Sequence, residues 1–394
     1  MVIKNARVVL QDGVKRLDVK VENGKIAELS ESIDGVDVID AEERYLMPAM
    51  VDIGVKVKDS KLRGESIRAL CEDAGVNGFS TVVLSALCDP PIDNEIALEF
   101  VKSQASLCSG TNFLTLLSGV RSDGGLSDCS ILLKEGAVGI EFGSDIDGNL
   151  IRRLMEYAQM HGVKLFCRAN DPALHGEGVM HEGRVSCRLG LAGVPAAAES
   201  SQVARIAELA EFYGVEVIVL GASTSRTLKI CAQSDRMVPQ VPIHHLILND
   251  TRCDGYNTAG KIWPPLRDEA MRKEMLEALA YDDSAMITSL HTPVSETAKD
   301  AVFADAAYGV EGFDSFLPLL YTHLVKKGGF DLPALVRMVS LNPAKAVGLE
   351  GKKGAVLPGY DADLILFDPD FDRSFDDPLS PYDGMRVSGR VLPV

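Results

Sequence analysis

Apolar and polar residues alternate at both ends of this chain and fall into solid apolar runs between them. The opening residues MVIKNARVVL and the stretch LDVKVENGKIAELS at 17–30 alternate around Asp12-Gly13 and Asn23-Gly24. Two-residue Asp-Gly and Asn-Gly turns match the twist of paired strands, so a small β unit is predicted to begin the chain. From about Tyr45 the pattern changes. Eight apolar runs, LMPAMVDIGV, FSTVVLSAL, TNFLTLLSGV, GAVGIEFG, VKLFCRA, VEVIVLGAS, HHLILND and SAMITSLH, are separated by stretches of helical character. Runs such as VEVIVLG lack polar alternation, as strands covered on both faces do. Eight strand–helix units predict a (β/α)8 barrel. The tail holds a helical stretch, PALVRMVSLNPAKAVGL, and returns to β patterning in KKGAVLPGYDADLILFDPD and MRVSGRVLPV. The expected fold class is therefore α/β: a (β/α)8 TIM barrel over residues 47–343, with a small β-sandwich formed by 1–46 and 344–394. No Gly/Ser-rich linker and no internal repeat separates the parts.

Composition adds limits. Hydrophobic residues make up 46% of the 394 and charged residues 25%, as in ordinary globular proteins. A formal net charge of -17 opposes binding to nucleic acid or to an anionic membrane surface, so small molecules or proteins are the expected partners. No apolar run approaches the roughly 18 residues needed to span a bilayer, and the N-terminus lacks a signal-peptide-like stretch; a cytoplasmic location is expected. Cysteines at 71, 88, 108, 129, 167, 187, 231 and 253 are scattered without a CxxC pair. Reduced, buried thiols are the expectation.

Several ordered segments carry a resemblance: DPPIDN (89–94), GVMHEGRVSCRLGLAGVPAAAES (178–200), HHLILNDTRCDGYNTAGKIWPPLR (244–267), DAAYGVEGFDSFLPLL (305–320) and the closing NPAKAVGL with KKGAVLPGYDADLILFD. Together they resemble the type I dihydroorotases of the amidohydrolase superfamily, over nearly the whole chain. The resemblance implies an HxHxRD element ending the first barrel strand, with two imidazoles on a metal and an arginine on the substrate carboxylate. Here DIGVKVKDSK places Gly54 and Lys56 at the histidine positions and Lys58 at the arginine position. Glycine offers no ligand, an ammonium repels a cation, and lysine lacks the fork of arginine. Two later metal histidines of the family correspond to Arg168 in CRAND, where Asn170 replaces an acid, and to Gly221 in GASTS. The catalytic aspartate of a TDHAP-like turn corresponds to Leu290 in SLHTP. Asparagines that hold the substrate ring correspond to Leu87 and Trp263. In GAVGIEFGSDID, Asp145 or Asp147 is left as a remnant of a metal-bridging aspartate.

Opening or closing a cyclic amide needs a nucleophilic oxygen, which a bound metal supplies by lowering the pKa of water from 15.7 to about 7. A catalytic zinc site takes roughly three protein ligands, and one aspartate is too few. None of the seven histidines forms HxH or HExxH. His244 and His245 are adjacent and would point to opposite faces of a strand. His181 and His245 are expected to be structural, and His291 is the best remaining acid–base candidate. No GxSxG elbow is present. The emptied metal space is expected to hold Lys56 or Arg168, paired with Asp145 or Asp147, because buried carboxylates left without cations would be costly.

The leading expectation is thus a non-catalytic homologue, needing no cofactor. The resemblance extends to inactive dihydroorotase-like chains that serve as scaffolds for aspartate carbamoyltransferase, which makes that enzyme the expected partner; a homodimer is also expected. Two alternatives stand beside it: an active dihydroorotase or other cyclic amidohydrolase with an unusual site, using zinc, and a sensor in which Lys58, Arg168 and Arg267 hold a carboxylated metabolite.

Overall fold

The computed structural model describes residues 1–394, the side chain of Pro393 excepted. Eight parallel strands form the barrel: β1 (Met50–Val55), β2 (Phe79–Leu84), β3 (Asn112–Thr115, resumed at Leu117–Ser118), β4 (Ile140–Gly143), β5 (Leu165–Arg168), β6 (Val217–Leu220), β7 (Met237–Pro242) and β8 (Met286–Thr288). Each pairs in parallel with the next, from β1 through to β8. The ring closes between β8 and β1. The Lys56 N–H donates to the His291 carbonyl at 2.9 Å, and Asp52 of β1 accepts from Thr288 Oγ1 at 2.6 Å and from the Ser289 N–H at 3.1 Å. Burial raises the Asp52 carboxyl to about 6, against those hydrogen bonds.

Helices between the strands follow local signals. The helix Gly148–His161 begins where Asp147 accepts the Asn149 N–H at 2.9 Å and ends at Gly162, whose φ of 63° is a left-handed cap. Its apolar stripe, Ile151, Leu154, Met155 and Ala158, faces the barrel.

The two ends of the chain share one mixed seven-stranded sheet. Its order is Arg386–Pro393, Leu364–Ser374, Tyr45–Pro48, Val2–Leu10, Gly13–Glu22, Lys25–Ser30, with Val38–Asp40 paired to the Val2–Leu10 strand. The second hairpin turns at Asn23-Gly24, as the alternation predicts, while the first turns one residue earlier than expected, at Gln11-Asp12, with Gly13 already paired to Leu10. Ile3, Val8, Val19, Ile26, Leu46, Val356 and Leu366 give this sheet a core of its own, separate from the barrel core.

Two expectations are corrected. HHLILND is not the seventh strand: Ile243–Ile247 is a short helix, and the strand is MVPQVP, Met237–Pro242. Pro239 and Pro242 mask that strand in the sequence because proline donates no ladder hydrogen bond, while a five-residue apolar run fits either periodicity. The cysteines are not all reduced. Cys71, on the helix Gly64–Val76, and Cys108, beyond the helix Glu95–Ala105, form a disulfide with Cα atoms 6.1 Å apart; spacing along the chain carries no hint of this pairing. Among the described residues no helix is long and apolar enough to cross a membrane.

Candidate functional site at the barrel rim

The carboxyl ends of the strands form the rim on which barrels carry their chemistry. At the end of β5, Arg168 reaches across to β4, where its Nε donates to Glu141 Oε1 at 2.7 Å; its terminal nitrogen donates to the Gly54 carbonyl at 3.1 Å. Glu141 is fully buried. It also accepts from Ser85 Oγ at 2.9 Å and from the Ala86 N–H at 2.6 Å, both just beyond β2. A cation therefore does occupy the expected space, but its acid is Glu141. Asp145 and Asp147 are exposed, and Asp147 is spent on capping a helix. The alternation within β4 explains the difference: Glu141 points into the barrel, while the later aspartates lie beyond the strand end.

Lys56, at the end of β1, is partly exposed beside Arg168, Glu141 and Cys88. Burial foremost, then the like charge of Arg168, lowers its pKa. The same burial pushes the Cys88 thiol up to about 12.

Gly54 and Gly221, which the resemblance sets at two metal-ligand positions, have left-handed backbones, with φ 80° and 75°. A Cβ on Gly54 would lie 3.2 Å from the Arg168 guanidinium, and one on Gly221 would lie 3.2 Å from Pro264. Any side chain at either position is strained. Leu290, which the resemblance sets at the position of the family acid, is buried with φ 49° and donates its N–H to Thr288 Oγ1 at 3.0 Å. A hydrocarbon there moves no proton. His291 stacks on Phe313, centroids 3.9 Å apart, and its Nδ1 accepts the Gly312 N–H at 3.3 Å. Burial lowers its pKa to about 3, so it is a neutral acceptor.

The remaining candidates lie in separate settings. Lys58 lines a concavity of about 520 Å³ with Glu65, Asp73, His291 and Glu311. Asp73 is raised to about 6 by burial, Glu311 and Asp314. Arg267 is buried against Glu199, Ser223 Oγ and the Val194 carbonyl, so the structure does not gather Lys58, Arg168 and Arg267 on one ligand. Asn170 holds His175 at 3.2 Å. Trp263 stacks on that histidine at 4.7 Å and meets Tyr308 edge-on, closing part of the rim. Leu87 is partly exposed beside Cys88. His244 bonds Tyr382 at 2.5 Å and the Ser289 carbonyl at 2.9 Å, and His245 bonds the Pro265 carbonyl at 3.2 Å. Burial lowers both to about 3, and His181 to about 4.

These residues do not fit a divalent metal. Among the described residues, no group of three or more His, Cys, Asp or Glu side chains is close enough to hold one, and the one inward carboxylate of the rim at β4 is saturated by Arg168, Ser85 and Ala86. Glu141, Ser85 and Glu199 were not singled out from the sequence, although a lone acid inside the apolar run VGIEFG was a readable signal.

Known proteins place this rim in context. The Amidohydrolase family model matches residues 265–394. A dihydroorotase of Carboxydothermus hydrogenoformans is 32% identical over 94% of this chain and 88% of its own length. A dihydroorotase of Geobacter sp. strain M21 is 32% identical over 100% and 96%. An L-hydantoinase of Arthrobacter aurescens superposes with a TM-score of 0.87 over 99% of this chain and 93% of its own, at 24% identity, which bears on fold alone. With such identity across almost its full length, this chain belongs to the dihydroorotase family of amidohydrolases.

Proposed function

We propose that this chain is a non-catalytic dihydroorotase homologue of pyrimidine metabolism, retained as a structural partner of an aspartate carbamoyltransferase. The observation that carries the loss of chemistry is the Arg168–Glu141 pair, which fills with an internal cation the space a metal-binding rim would need. Ring opening requires a water made nucleophilic and a group to pass its proton to the leaving nitrogen. Leu290 supplies no proton transfer, His291 is held neutral by burial, and Gly54 and Gly221 offer no ligand. The partner rests on the family resemblance together with a fold preserved from end to end.

The test has two arms on the purified full-length chain. Metal analysis and a dihydroorotate hydrolysis assay are expected to give substoichiometric zinc and no turnover; stoichiometric zinc with turnover overturns the loss of chemistry. Size-exclusion chromatography with the carbamoyltransferase of the same source, at micromolar concentration, is expected to give a joint peak. Separate elution overturns the scaffold role and leaves the first arm untouched.

A further inference from the structure

Three lysines stand at the rim, and two of them are held by backbone carbonyls. Lys261 Nζ donates to the carbonyls of Phe303 at 2.7 Å and Ala304 at 2.8 Å. Lys299 Nζ donates to those of Thr258 at 3.0 Å and Lys261 at 2.8 Å. Lys56 Nζ, on a side chain only partly buried and not closed off from water, has no hydrogen-bond acceptor and no ion pair among the described residues. The acid nearest to it, Glu141, is already engaged by Arg168, Ser85 and Ala86. Its other charged neighbour is the Arg168 guanidinium, and the thiol beside it is protonated. That surrounding favours the free amine, which is a nucleophile.

Arg168 faces the same opening. Of the five N–H donors of a guanidinium, one goes to Glu141 and one to Gly54, and the side chain remains 21% exposed, so three donors are left for an incoming anion. Lys56, Leu87, Cys88 and Asn170 are likewise partly exposed around it.

We propose that Lys56 and Arg168 form a site for small 2-oxo acids, in which Arg168 holds the carboxylate and the Lys56 amine adds to the adjacent carbonyl to form an imine. The nitrogen lone pair attacks the carbonyl carbon. The oxygen takes up both amine protons and departs as water, leaving C=N; nothing is oxidised or reduced. The site is independent of the scaffold role, since neither residue needs a protein partner to react.

The test uses the full-length protein with glyoxylate and cyanoborohydride, which fixes an imine as a stable secondary amine, followed by peptide mass mapping. Lys56 is expected to be labelled in clear excess over exposed lysines such as Lys15 and Lys273, because a lowered pKa leaves more of its amine free. The variant Lys56→Arg loses that label while its neighbours keep theirs. Acetaldehyde, which lacks the carboxylate, is expected to show a smaller preference for Lys56 on the unaltered protein. Labelling of Lys56 no greater than that of the surface lysines overturns the site, and equal preference for the two aldehydes overturns the role of Arg168.

Discussion

The Arg267 and Arg168 sides of the rim hold the same two groups, a guanidinium and a carboxylate, in different settings. Around Arg267 the network is closed. Glu199 accepts from the Ser223 N–H at 2.9 Å, the Thr224 N–H at 3.2 Å, Thr227 Oγ1 at 2.7 Å, Ser223 Oγ and Arg267, and both side chains of the ion pair are 5% exposed or less. Lys261 and Lys299, in the same loop region, are saturated by carbonyls. Around Arg168 only the carboxylate is fully satisfied: the guanidinium keeps spare donors and Lys56 has no acceptor. A buried charge with complete partners fixes a loop, whereas a charge with spare valence is available to something that arrives from solvent.

The largest effect expected from this contrast is on acid stability. His244, His245 and His291 are neutral in the fold, with pKa values lowered to about 3. Their stabilisation is present above the unfolded value near 6.5 and is lost as pH falls through it toward 3. Asp52 works the other way: raised to about 6, it adds stability as pH falls from 6 toward 4. Between pH 7 and pH 5 these four groups together remove about 4 kcal/mol, read from urea unfolding at each pH. A flat profile breaks the picture of a closed, dry side.

Removing one member of each pair comes next. Glu199→Ala strands Arg267 and four backbone or hydroxyl donors, and about 3 to 5 kcal/mol of unfolding free energy is expected to go. Arg168→Met leaves Glu141 with its Ser85 and Ala86 hydrogen bonds and is expected to cost less, about 2 kcal/mol. A reversed order would mean that the Arg168 side is the more tightly built. The lysines give the smallest and most discriminating pair. Lys261→Met frees two buried carbonyls and is expected to cost about 1 to 2 kcal/mol, whereas Lys56→Met removes a charge that has no partner and is expected to be neutral or stabilising by up to about 1 kcal/mol. Both are read as shifts in the urea midpoint.

The sequence made the barrel legible because seven of its strands announce themselves as apolar runs; β7 escaped because Pro239 and Pro242 break the usual signature. The terminal sheet was readable from its turns. At the rim, a cation was anticipated but its acid was misassigned, because residues 141, 145 and 147 lie in one short segment and only the pleat of β4 decides which of them turns inward. Lys56 and Arg168 were named, yet the one contrast that distinguishes Lys56 from Lys261 and Lys299 is the absence of acceptors, a property of three-dimensional placement. The Cys71–Cys108 bridge was invisible for the same reason, since 37 residues separate its ends.

Trp263 is the single tryptophan of the chain, and it leans on His175 at the edge of the open side. The protein therefore carries an optical probe at the spot where a ligand would enter. Quenching by a nearby imidazole and changes in solvent access both alter indole emission, so a fluorescence titration with small carboxylates reports directly on this corner of the molecule, without any label.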